Sequence, residues 1–207
     1  MAQHNLVGSP MTKPLAQPLW VRISHWCNAL AVILMIMSGW RIYNASPVFS
    51  GLTLPSALTL GGWLGGALQW HFAAMWLLVA NAVFYAACNV ATGRIRTRFF
   101  PLSPRAVFND ALAALKGRLA HADPSQYNAV QKLLYLFVMV DVILLVMSGL
   151  AIWKPVQLAI LTHLFGGYDF SRVVHFCAMA LLAAFIVLHV AMVLLVPRSL
   201  LTMIRGR

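Results

Sequence analysis

The chain reads as an all-α integral membrane protein: a four-helix bundle with both termini in the cytoplasm (N-in/C-in) and an interfacial amphipathic helix in its cytoplasmic loop. Three observations predict this class. Apolar residues fill 61% of the 207 positions and charged residues only 9%, a balance foreign to soluble domains. Four stretches, about Ile23 to Tyr43, Trp70 to Val90, Leu133 to Trp153 and Val173 to Val196, each supply the roughly 20 mostly apolar residues that a hydrocarbon core of about 30 Å demands. The cations are distributed unevenly. With both termini inside, Lys13, Arg22, Arg94, Arg96, Arg98, Arg105, Lys116, Arg118, Lys132, Arg198, Arg205 and Arg207 lie on one side, and only Arg41, Lys154 and Arg172 on the other. The positive-inside rule therefore absorbs the net charge of +11, which would otherwise suggest a nucleic-acid binder.

Residues 1–19 form a cytoplasmic tail, 20–197 the four-span domain and 198–207 a second cytoplasmic tail. The first span follows a polar leader, has a long core and lacks a small-residue cleavage site after it, so it is expected to stay in the membrane. Between spans one and two, Val48 to Gln69 is apolar but broken by Gly, Ser, Thr and Pro, and reads as a loop on or in the interface. Trp20, Trp26, Trp40, Tyr43, Trp70 and Trp153 at the span ends suit an aromatic belt. The cytoplasmic loop, 91–131, opens on a basic run. It continues as a helix in which Ser103 can cap, Pro104 suits the first position, and Val107, Ala111, Leu115 and Leu119 share an apolar face for anionic lipid headgroups.

Two halves of the chain can be overlaid. His71-Phe72-Ala73-Ala74-Met75 of the second span matches His175-Phe176-Cys177-Ala178-Met179 of the fourth, and Met37-Ser38-Gly39 of the first matches Met147-Ser148-Gly149 of the third. A duplicated two-helix unit explains both matches. In that alignment Tyr135 and Tyr85 stand opposite His25 and His189.

Four histidines, His25, His71, His175 and His189, fall inside the spans. An ionisable side chain at that depth is expensive and signals function, and imidazole is the commonest side-chain metal ligand. The fourteen residues from His175 to His189 place them about 21 Å apart on nearly one helical face. The topology puts His71 and His175 near the outer side, and His25 and His189 near the inner side. Imidazole pairs without Cys, Asp or Glu beside them suit the two axial positions of a haem better than tetrahedral zinc. His4, His121 and His163 lie in polar flanks or the outer loop and are read as non-ligands. Arg22 and Arg172, each three residues before a proposed ligand, can reach haem propionates or anchor the interface; Arg41 is a further propionate candidate and Lys154 a weaker one. No CxxCH occurs, so covalent haem attachment is not expected, and Cys27, Cys88 and Cys177 read as small packing residues. Asp141, the only carboxylate within a span, should face the interior, protonated and hydrogen-bonded between helices or serving a proton path.

Arg22-Ile23-Ser24-His25-Trp26, then Ser38-Gly39-Trp40, a histidine opening the second span and two histidines fourteen apart in the last together resemble the bacterial cytochrome b561-like family. This family includes the cytochrome b subunits of hydrogenase, formate dehydrogenase and thiosulfate reductase. The resemblance runs from Leu19 to Arg207 and is nearest to subunits accompanying periplasmic molybdopterin oxidoreductases. It implies two b haems, a quinone site and an outer landing surface for a redox partner built from 44–69 and 155–171. The expected role is electron transfer between the quinone pool and a periplasmic redox enzyme or cytochrome, in the bacterial inner membrane. Two alternatives remain open: a stand-alone superoxide:quinone oxidoreductase, and a haemless membrane anchor or transporter.

Overall fold

The computed structural model describes residues 17–93, 103–115 and 129–206. Four long helices form the body: α1 (Leu19–Ala45), α2 (Leu64–Thr92), α4 (Ala129–Trp153) and α6 (Tyr168–Leu195). Shorter helices are α3 (Pro104–Leu115), α5 (Ala159–Leu164) and α7 (Pro197–Arg205), with a 3-10 turn at Ser56–Leu58. All four long helices are apolar and long enough to cross a membrane. Their outer faces remain apolar, with Val83 and Leu188 each 65% and Val187 70% exposed. Surface of that kind suits lipid and would aggregate in water. The basic flanks and termini that predict the cytoplasmic tails, including His4 and His121, lie largely outside the described residues.

What packs inside is small. Among the residues α1 buries are Ser24, Ala31 and Ser38, and among those α2 buries are Ala67, Ala74 and Asn81, seven apart on each helix. α4 buries Asp141 and Ser148, and α6 buries Ser171 and Ala178, again seven apart. Small side chains at a seven-residue stride let two helix backbones approach closely along a left-handed seam, which drives association where lipid removes the hydrophobic effect. The duplication read from the sequence carries into these seams: Ser38 corresponds to Ser148, Ala31 to Asp141, Ala67 to Ser171 and Ala74 to Ala178. The extensive helix contacts are α1 with α2 and α4 with α6. The molecule is thus two helix hairpins, each tightly packed within itself and only sparsely in backbone contact with the other. Asn81 reinforces the first hairpin, its Nδ2 donating to the Ser24 carbonyl at 2.9 Å and to Asn28 Oδ1 at 2.6 Å.

Helix ends differ from the sequence reading in one consistent direction. Each span starts several residues before its apolar core, α2 at Leu64 rather than Trp70 and α6 at Tyr168 rather than Val173. A hydropathy pattern marks the hydrocarbon core, whereas intrahelical hydrogen bonds continue through the headgroup layer. The segment 198–207, read as a tail, carries α7 after Pro197 at its first turn. Helix α3 begins with the Val107 N–H on the Ser103 carbonyl at 3.0 Å. Asp110 Oδ2 accepts from the Ala129 N–H at 2.7 Å, so α3 satisfies an orphan donor at the start of α4.

The 46–63 loop folds back on α1. Leu60 N–H donates to the Met37 carbonyl at 3.1 Å, Asn44 exchanges hydrogen bonds with the Leu54 backbone, and Arg41 reaches the Gly62 carbonyl. Gly61 has φ of 107°, and a Cβ there would lie 2.4 Å from the Ala67 nitrogen. Gly61→Ala is therefore expected to destabilise the loop by about 1–3 kcal/mol or more. Faster limited proteolysis between residues 46 and 63 would report this; a cleavage rate equal to the parent's would refute it.

Candidate functional site: two facing histidine pairs

The structure brings the four intramembrane histidines together in the predicted pairs. At the end of the bundle carrying the 46–63 loop, His71 of α2 faces His175 of α6 with ring centroids 6.5 Å apart and planes at 66°. At the terminal end, His25 of α1 faces His189 of α6 at 6.1 Å and 61°. Helix α6 supplies one member to each pair, and the partners come from the opposite hairpin. Both pairs therefore bridge the seam where the hairpins are least tightly joined.

The spacing has chemical content. An imidazole nitrogen binds a first-row metal at about 2.0–2.1 Å, and the ring centroid lies about 1.1 Å behind it, so two rings on one metal would stand about 6.3 Å apart. Both pairs fall close to that separation. Among the described residues no group of three or more His, Cys, Asp or Glu gathers around them. Two facing imidazoles fit the two axial positions of a haem.

The loop-end pair is cradled by the duplicated Met-Ser-Gly segments. Ser38 Oγ lies 3.1 Å from His71 Nδ1, and Ser148 Oγ lies 3.0 Å from His175 Nδ1. A Cβ on Gly39 would meet His71 Cε1 at 3.2 Å, and one on Gly149 would meet His175 Cε1 at the same distance. Each imidazole thus lies close against the other helix of its own hairpin at a glycine, where an added Cβ would require the ring to give by a few tenths of an ångström. The sequence reading recorded these residues as a repeat signature and missed them as site residues. Their recurrence at matching positions was the signal, because two unrelated apolar helices have no reason to share it.

The terminal-end pair has aromatic neighbours. His25 contacts Trp26 edge-on at 5.3 Å, and Phe185 stacks on His189 at 5.7 Å and 17°. Above the loop-end pair, Phe176 stacks on Tyr43 at 4.4 Å and touches Trp40 and Phe49, tying α6 to the end of α1 and its loop. Trp40 Nε1 is buried without a hydrogen-bond partner, leaving an N–H donor one residue beyond Gly39 for an acceptor-bearing group.

The three arginines occupy both ends. Arg22 donates to the carbonyls of Met203, at 3.3 Å, and Ile204, capping the end of α7. Arg172 donates to the Ser46 carbonyl and lies 3.8 Å from Asp169, and Arg41 holds Gly62. All three have backbone partners, so their placement has a structural role independent of any cofactor. Asp141 is buried, with Oδ2 lacking a partner; no interhelical hydrogen bond forms at that atom. Cys27, Cys88 and Cys177 are free thiols.

Helix hairpins joined across two facing imidazole pairs are the arrangement expected of a membrane cytochrome that holds its cofactor between bundle helices. The prokaryotic cytochrome b561 family model matches residues 16–206. The chain belongs to this family, which makes it a multi-pass protein of the bacterial inner membrane with haem b as its implied cofactor. It is 57% identical over 189 residues to the protein-methionine-sulfoxide reductase subunit YedZ1 of Azospira oryzae, a provisional name, covering 91% of this chain and 95% of that one. No solved structure matches.

Proposed function

We propose that the protein carries electrons across the membrane between the quinone pool and a periplasmic oxidoreductase, using two b haems. His71 and His175 hold the outer haem, and His25 and His189 the inner one. The observation that carries this reading is the pair of facing imidazole sets at 6.5 and 6.1 Å on opposite hairpins. Orientation follows the cation asymmetry of the sequence, with both termini and α3 on the cytoplasmic side and the 46–63 and 155–167 segments outside.

Haem b, when bound, supplies reversible one-electron transfer at its iron. Everything else is done by the chain. The histidines would hold the haem iron and fix its position; the apolar seam would keep water from the imidazoles; the glycines leave room for the rings at the outer end. Trp40 Nε1 can donate to a propionate or a quinone carbonyl, while Arg41 and Arg172 line the outer end and Arg22 the inner. The protein forms and breaks no bond of its own.

The relative's name makes a methionine-sulfoxide reductase the first partner to consider, of the periplasmic molybdopterin type that the sequence resemblance implies. Electron flow would then run outward. Oxidation of a quinol releases two electrons and two protons, and reduction of a sulfoxide to the thioether consumes two electrons and two protons and forms water. The apolar outer loop, with Trp63 68% and Leu58 58% exposed, would offer that partner its landing surface. Haem content per chain, measured by pyridine haemochrome on detergent-purified protein, tests the reading directly. Two b haems are expected; a well-folded preparation without haem would overturn it.

A further inference from the structure

Ser38 and Ser148 do more than fill space beside the outer histidines. Each serine hydroxyl carries a single proton and lies among more than one partner. Ser38 Oγ is 2.6 Å from the Leu34 carbonyl and 3.1 Å from His71 Nδ1. Ser148 Oγ is 2.7 Å from the Leu144 carbonyl and 3.0 Å from His175 Nδ1. A carbonyl can only accept, so the hydroxyl proton goes to the carbonyl four residues back, and Oγ turns a lone pair to the imidazole. Nδ1 must then be the donor. The Met35 and Leu145 carbonyls, which also can only accept, lie 3.3 and 3.2 Å from the Ser38 and Ser148 hydroxyls. Both serines are 0% exposed, so their hydroxyls find these partners within the protein and not in solvent. The same arrangement occurs twice, once per hairpin.

We propose that Ser38 and Ser148 are positioning residues that hold His71 and His175 in the Nδ1–H tautomer, leaving Nε2 as the metal-binding nitrogen and lowering the outer haem's midpoint potential. The proposal rests on the reading of these histidines as the outer axial pair. An imidazole whose N–H donates to a fixed acceptor is the more basic ligand and favours the oxidised metal. The inner histidines, set against Trp26 and Phe185, have a different surrounding. The two haems are thereby separated in potential by their neighbours rather than by their ligands.

The test uses the full-length protein in detergent, comparing Ser38→Ala, Ser148→Ala and the double variant with the parent by haem content and redox titration. Each single substitution is expected to raise the outer midpoint potential, the double to raise it further, and the inner potential to stay in place. Threonine at either position keeps the hydroxyl and should restore the parent value. An unmoved outer potential with both haems present overturns the proposal and leaves the ligand reading intact. An equal shift, or equal haem loss, in the alanine and threonine variants also overturns it, because volume and not the hydroxyl would then be responsible. Outer haem loss in alanine but not threonine variants supports it. A parent protein without an outer bis-histidine haem removes the ligand reading itself.

Discussion

Replacing His175 with alanine is expected to remove the outer haem and keep the inner one, while replacing His189 in the same helix does the reverse. Each variant should hold about half the parent's haem. The pair of substitutions is informative because both positions lie in α6 (Tyr168–Leu195), so damage to that helix as a whole would reduce both haems together. His175 faces His71 across the hairpin seam, and His189 faces His25; each substitution leaves one imidazole without its opposite. Loss of the outer haem should also abolish quinol-dependent reduction of a periplasmic acceptor while leaving quinol reduction of the inner haem. Reduced-minus-oxidised spectra of the two variants would check this. Simultaneous loss of both haems from each folded variant, or full transfer through the His175→Ala protein, would contradict the two-centre arrangement.

Enlarging Gly39 or Gly149 should injure the same centre by a different route. An added Cβ would come within 3.2 Å of the neighbouring imidazole Cε1, tight enough that the ring must shift by a few tenths of an ångström. Overpacking of this kind costs about 1–3 kcal/mol, which corresponds to roughly 5- to 150-fold weaker haem retention at the outer site. Alanine also improves the intrinsic helix propensity by about 1 kcal/mol over glycine. The apoprotein is therefore expected to be no less stable while the outer haem is held more weakly, an opposite-sign signature that general misfolding would not produce. Leucine at either position, with no room for its branch, should exclude the outer haem altogether. Haem dissociation rates measured beside thermal unfolding of the apoprotein would separate the two effects; an outer haem retained at parent strength in Gly149→Leu would refute the cradle.

Much of the site was legible before any coordinates. His25, His71, His175 and His189 stand out because charge-capable side chains are rare in apolar spans, and the fourteen-residue step in the last span fixes two depths along one helical face. The depth pairing followed from topology, which rests on the loop cations. The Met-Ser-Gly repeats were visible too, but their contact with the imidazoles was not. That contact depends on how far each hairpin's helices are rotated and slid against one another, and small residues such as Ala31 and Ala74 set that register through packing. The arginines show the same limit. Their spacing from the histidines is consistent with propionates, yet Arg22 lies on α7 carbonyls and Arg172 on Ser46, partners more than 120 positions away in the chain.

The sequence alone determined the membrane class, the four spans, the duplicated unit and the four histidines, because hydropathy and helical periodicity are local properties that add residue by residue. Only the tertiary structure decided which serine meets which imidazole, that glycine leaves the space for the ring, and that the two hairpins are sparsely joined along the seam the histidine pairs bridge. Those features depend on the relative rotation and height of separate helices, which no single segment contains.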